Sequence, residues 1–224
     1  RALECVETLQ FHRQEWAALR DTYEKLVDVA DGDDELAGIY SRMAHLDSEA
    51  LGNDDRSVEL WGRVLDIRAE DQTALSALGG IHTRREQWEA LIEIIERQVA
   101  VAPTEREQVV LYKQMGQVWA DKLGRERNAI DAWTAADRVN PNDLETLRAL
   151  AHLYRSTQSW DELSQTLRRI LELGAVTGQV SEEESIELYA QLGQLEGDIL
   201  GRVDDAVRAW RQVVALDPSD FRAL

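Results

Sequence analysis

The chain has 224 residues, 43 Asp and Glu against 25 Lys and Arg, and a formal net charge of −18. That balance works against binding a phosphate backbone, where affinity comes from many basic contacts, and it attracts cationic partners at long range. A single cysteine, Cys5, excludes an internal disulfide framework, and no apolar run approaches the roughly 18 residues of a membrane span.

With three prolines and no alternating β-branched runs, the chain reads as all-α. A first pair of helices is expected over 1–12 and 15–30. Asp31-Gly32-Asp33-Asp34 then ends one helix with glycine and starts the next with carboxylates. A long helix follows to about residue 51, turns at Gly52-Asn53 and returns over 54–68. A third pair covers 71–102. A fourth, over 104–140, opens on Thr104 with Glu107 at capping-box spacing. A fifth covers 143–173. Gly174 to Ser185 is rich in Gly and polar residues and is expected to form a longer surface loop. A sixth pair, 181–216, opens on Ser181 with Glu184 at the same capping spacing, and 221–224 starts a further helix. Because the chain opens on Arg1 inside a helical unit, it is expected to be one portion of a longer array.

These pairs repeat one another. A shift of 72 residues carries Trp16 to Trp88 and Trp88 to Trp160, and also Trp61 to Trp133, Tyr40 to Tyr112 and Gly52 to Gly124. A shift of 77 carries Trp133 to Trp210, Tyr112 to Tyr189, Gly124 to Gly201 and Pro141 to Pro218, so five residues are inserted once. Within the stretch from Tyr112 to Pro141, Met115-Gly116 is followed by Trp119, Ala129, Trp133, Ala136 and Pro141. This resembles the tetratricopeptide repeat, a two-helix unit of about 34 residues. The resemblance implies a right-handed α-solenoid of six helix-turn-helix units, bounded near 1–32, 33–69, 70–103, 104–141, 142–175 and 181–218, with 219–224 beginning another. It also implies one continuous superhelix over 1–224 that serves as a protein–protein interaction scaffold; the Ala-, Arg-, Asp- and Leu-rich vocabulary points to a portion of a large bacterial multi-repeat protein. Small residues (Ala44, Gly79, Gly116, Ala151, Gly193) are expected where the two helices of a unit cross. Large ones (Trp61, Ile95, Trp133, Leu167, Trp210) are expected to fill the space between units. Trp119, standing where the repeat has Tyr, could reach the binding surface with its edge.

Members of this family place partners on a concave surface lined by the first helix of each unit. Helical spacing i, i+4, i+7 then puts Ser41, His45 and Ser48; Ser76, Gly80 and Thr83; Lys113, Gln117 and Ala120; Arg148, His152 and Arg155; and Ala190, Gln194 and Gly197 on that lining. The candidate partner-binding residues are Lys113, Gln117, Arg148, His152, Arg155, Gln194 and His45. A lining with Lys and Arg and no carboxylate points to an acidic segment or C-terminal carboxylate as ligand; alternatively these cations are solvated and pair with nearby Glu. The repeat subclass that clamps chaperone tails is not expected, because Gln117, Ala149, Glu187 and Gln191 depart from its Asn, Lys and Arg pattern.

Other chemistries find little support. The four histidines (His12, His45, His82, His152) fall in four units, so none shares a metal-ligand spacing with another. Asp54-Asp55, Asp204-Asp205 and the Glu182 to Glu184 run sit at helix starts, where carboxylates favour the macrodipole. Cys5 reads as a small buried hydrophobe. No enzyme activity, cofactor, metal, nucleic acid or membrane association is expected, and a cytoplasmic location is. Partners are expected to be an acidic peptide in the groove, a basic protein on the acidic outer surface, or further copies through the terminal units. A structural spacer, or a regulatory domain of an enzyme encoded elsewhere in a longer chain, are the alternatives.

Overall fold

The computed structural model describes residues 2–220 and 222, with side chains from Val6 onward. The expected burial of Cys5 lies outside the described side chains, and the expected further helix at 221–224 lies, apart from Arg222, outside the described residues. Among the described residues there are twelve α-helices and no strand, and none of the helices is long and apolar enough to cross a membrane. The chain divides into two compact units, 1–103 and 104–224.

The first unit holds α1 (Ala2–His12), α2 (Trp16–Val29), α3 (Asp33–His45), α4 (Asp54–Ile67), α5 (Gln72–Arg84) and α6 (Trp88–Val101). The second holds α7 (Glu105–Gln117), α8 (Glu126–Val139), α9 (Leu144–Ser156), α10 (Trp160–Thr177), α11 (Glu182–Gln194) and α12 (Val203–Leu216). Within each unit successive helices pair into hairpins, and the second helix of one hairpin packs on the first helix of the next. This is a helix-turn-helix repeat stacked by nearest-neighbour contact.

Helix starts follow the expected capping chemistry. The side chains of Asn53, Asp71, Thr104, Asp143 and Ser181 each accept the backbone N–H three residues on, which is worth about 1 kcal/mol per cap. The Glu184 carboxylate does not close the capping box at Ser181, because Arg148 binds it instead.

Helix ends alternate between two devices. The long first helices α3, α7 and α11 run on into π-helical turns, Leu46–Ala50, Val118–Lys122 and Leu195–Ile199. Each is followed by a left-handed glycine: Gly52 at φ 64°, Gly124 at 62° and Gly201 at 67°. The short first helices α1, α5 and α9 end instead on left-handed non-glycine residues, Gln14, Glu86 and Gln158, with φ of 58°, 55° and 57°. The expected long loop after Gly174 is not there. The inserted residues lengthen α10 to 18 residues, against 14 in α8 and α12. Gly178 caps α10 with its N–H on Gly174 O at 2.8 Å, and Val180 folds back over Gly174, leaving no space for a Cβ there.

The cores follow from the repeat. In the first unit Leu19, Ile39, Trp61, Val64 and Leu75 are essentially fully buried, as are Leu147, Leu167 and Ile170 in the second. Each such side chain contributes about 1.5–3 kcal/mol on burial. A Cβ at Gly116 would lie 2.4 Å from Trp133 Nε1, and one at Gly193 would lie 2.6 Å from Trp210. Gly79 differs, since a Cβ there would make ordinary contact with Ile94 at 3.7 Å.

Candidate partner-binding face

The first helices α7, α9 and α11 of the second unit carry most of the candidate residues. Lys113 on α7 is largely buried and not free for a ligand. Its Nζ is 2.6 Å from Asp143 Oδ2 and 2.5 Å from Glu145 Oε2, both at the start of α9. Desolvation works against its charge, but the hydrogen bonds to Asp143 and Glu145 outweigh it, so the ammonium pKa is raised. For Asp143 the balance is the same: burial opposes ionisation, and the bonds from Lys113 and Thr146 prevail, holding the carboxyl below its ordinary value. Lys113 therefore clamps α7 to the capped end of α9.

Arg148, His152 and Arg155 on α9 are all exposed and share one face. Arg148 donates Nη2 to Glu184 Oε1 at 2.8 Å and Oε2 at 3.1 Å on α11. Arg155 donates Nη2 to Gln191 Oε1 at 2.5 Å. Gln191 in turn donates to Glu187 at 3.3 Å, and Arg222 binds the other Glu187 oxygen at 2.8 Å. The hydrogen bonds from Arg222 and then Gln191 hold the Glu187 carboxyl below its ordinary pKa. The expected lining without carboxylates is thus supplied with them by the neighbouring first helix. Each falls 30–36 residues after its cation, which is one repeat on.

Beside Arg155 the surface opens into a hollow of about 340 Å³ between α9, α10 and α11. Its walls are Trp160, Leu163, Leu167, Leu195 and Ile199, and its mouth carries Arg155, Gln191 and Gln194. Ile199 is half-exposed although apolar. Two mouth residues, Arg155 and Gln194, are among those expected from spacing. Gln191 and the apolar walls are not, because the walls come from the second helix and the π-helical turn.

The remaining candidates lie apart from this hollow. Gln117 is exposed at the end of α7. His45, in the first unit, stacks edge-on against Trp61 with ring centroids 4.9 Å apart and has Nδ1 3.6 Å from Glu49. Ala190 is buried, and a Cβ at Gly197 would meet Ala206 of α12 at 3.3 Å, inside its own hairpin. The π-helical turn holds an extra residue, so a count of i+7 across it leaves the exposed face. Trp119 is half-buried in the cluster of Ala129, Trp133, Leu150 and Leu153, with the Arg125 guanidinium 5.4 Å above its ring.

Two functional-looking groups escape sequence reasoning: the fully buried carboxylates Asp47 and Glu196, both in π-helical turns. They are 149 residues apart, the sum of the two repeat shifts, and Trp119 holds the place between them. Glu196 Oε1 accepts from Ser164 Oγ and from Arg168 Nη2. Asp47 lies 3.4 Å from Arg56 Nε without a hydrogen bond to either oxygen, and desolvation raises its pKa.

Residues 74–109 and 146–175 match the model of the tetratricopeptide repeat family; the first covers nearly all of α5, α6 and the start of α7, the second most of α9 and α10. No curated protein matches the chain in sequence. Among solved structures, the chain is similar to YrrB, described as a repeat protein of this family with an unusual peptide-binding site. That match has 16% identity, covers 90% of this chain and 95% of the other, and has a TM-score of 0.47. It is also similar to the C-terminal part of a repeat protein from Cytophaga hutchinsonii, at 16% identity, 97% and 83% coverage and TM-score 0.49. A third similar structure is PilF of Pseudomonas aeruginosa, at 14% identity, 99% and 93% coverage and TM-score 0.43.

Proposed function

We propose that this tetratricopeptide-repeat chain is a protein-interaction scaffold that holds a partner peptide on the face formed by α9 and α11, with one large apolar side chain in the hollow beside Trp160. Repeats of this family mediate protein–protein interaction, and the apolar hollow with a polar mouth is the observation that carries the finer reading. Its volume is at the lower end of ligand pockets, the size for a side chain more than for a whole metabolite. Arg155, Gln191 and Gln194 supply donors and acceptors for the peptide's own backbone or for an acidic or amide side chain next to the anchor. Arg148 and His152 extend the same face along α9. Because Glu184 already neutralises Arg148, affinity rests more on the apolar anchor than on general basicity.

A peptide-display selection against the whole chain tests this. Enriched peptides should carry a large apolar residue flanked by an acidic or amide side chain. A single enriched peptide should lose about tenfold or more in affinity for an Ile199→Asp, Arg155→Glu variant, since removing an anchor at an interface centre costs 1–2 kcal/mol or more. Arg155 is exposed and Ile199 half-exposed, so binding is compared at a temperature where thermal melts show both proteins folded. Equal binding to both proteins would remove this face as the site.

A further inference from the structure

The first unit holds a second hollow, of about 570 Å³, between α2, α3 and α4. Its floor is apolar, from Val27, Met43 and Leu60, with the Tyr40 ring in one wall. Its rim is acidic: Glu24 and Asp28 come from α2, and Asp55 and Glu59 from α4. Two arginines also line it. Arg56 is shared between Glu24 at 2.6 Å and the buried Asp47 at 3.4 Å, so its charge is consumed from both sides. Arg63 lays its guanidinium carbon 5.4 Å from the centre of the Tyr40 ring. Asp55 is paired at 2.6 Å with Arg85, which lies outside the hollow. Asp28 and Glu59 face it as exposed carboxylates. A more open hollow adjoins on the α6 side and shares Asp55 and Glu59 with the first; Arg85, the partner of Asp55, lines it together with Val58, His82 and Glu89.

We infer that this paired hollow is a docking site for an arginine-bearing segment of a partner protein, separate from the apolar hollow of the second unit. An arginine side chain has the matching profile: an aliphatic stem for the Met43 and Leu60 floor, and a planar cation for the Asp28 and Glu59 carboxylates. Arg63 already covers the Tyr40 ring, so the incoming guanidinium takes the two carboxylates. The ridge at Glu59, shared by both hollows, lets the same segment continue into the adjoining one. The net charge of −18 attracts such a segment at long range, while the apolar floor beside two carboxylates selects a long-stemmed planar cation over a bare charge.

The two methionines make a built-in reporter, because Met43 lines the hollow and Met115 lies on α7 in the second unit. Titrating a hexa-arginine peptide into 13C-methyl-methionine protein should shift the Met43 methyl signal and leave that of Met115 in place. Asp28→Asn with Glu59→Gln should weaken the titration about fivefold or more, as expected for charge partners at a binding site. A control with equal charge change on the second unit, Glu172→Gln with Asp198→Asn, should leave the affinity close to that of the parent. A hexa-lysine peptide should bind more weakly than hexa-arginine. A Met43 signal that does not move, or equal weakening by both double variants, would overturn the site and leave diffuse attraction to an acidic protein.

Discussion

At the scale of single residues, glycine marks where two helices are forced together, and the closest approaches are opposite tryptophan. Gly116 and Gly193 face Trp133 and Trp210 at distances no Cβ can occupy, whereas Gly79 faces Ile94 with room to spare. Gly116→Ala should therefore cost about 1–3 kcal/mol through overpacking, and Gly79→Ala should gain up to about 1 kcal/mol from helix propensity; urea denaturation of the two variants measures both. The repeat pattern marks all three glycines as crossing points. It misses the distinction because the opposing side chain, and not the motif position, sets the space. The Lys113–Asp143 pair gives a pH signature. The Asp143 carboxyl pKa is lowered on folding, so its contribution is present above the unfolded value near 3.9 and is lost as pH falls through the folded one. The Lys113 pKa is raised, so its contribution is present below about 10.4 and is lost as pH rises through the folded value. Lys113→Met should thus destabilise the chain by about 1–3 kcal/mol at pH 7, the cost of leaving a partly buried carboxylate without its partner. Much of that difference should vanish as pH falls below the unfolded value near 3.9 and through the lower folded one, and urea midpoints followed from pH 7 into that range would show it.

At the scale of elements, two kinds of helix end alternate along the chain, and only one was legible. Gly52, Gly124 and Gly201 announce left-handed caps, and their spacing places them one repeat pair apart. Gln14, Glu86 and Gln158 adopt the same backbone region, but a glutamine or glutamate carries no such signal, so their shared spacing of 72 residues is recognisable only once the φ angles are known. The left-handed region costs a non-glycine residue about 1–2 kcal/mol. Gly124→Ala should accordingly lower stability by about 1 kcal/mol, and Gln158→Gly should not lower it. A chemical-denaturation series in which both changes cost the same would show that the cap geometry is not what glycine serves here. The insertion after the fifth pair was legible as an insertion and misread as a loop. Five residues are enough to continue α10 by one turn and cap it with Gly178, and Val180 packing on Gly174 ties the new end down.

At the scale of the whole molecule, the repeat and its helix-turn-helix units were legible because each unit buries the same residue types at the same spacing. The candidate site was legible in part. Arg155 and Gln194, which spacing assigns to the lining, lie at the mouth of the second unit's hollow. Lys113 is absorbed into a clamp between first helices, and the apolar walls come from elements whose partners in space cannot be read from one helix's periodicity. Since Leu147, Leu163, Leu167, Leu192 and Leu195 form a buried cluster inside residues 104–224, that fragment alone should melt cooperatively and bind the selected peptide as the full chain does. The most direct test of the central claim is site-specific photocrosslinking. A benzophenone side chain replaces Gln194 at the mouth of the hollow in one protein and Val207, exposed on the second helix α12, in another. The account predicts that the display-selected peptide crosslinks from position 194 and not from 207. Crosslinking from 207 without 194 would contradict it and move recognition to the opposite face of the hairpins.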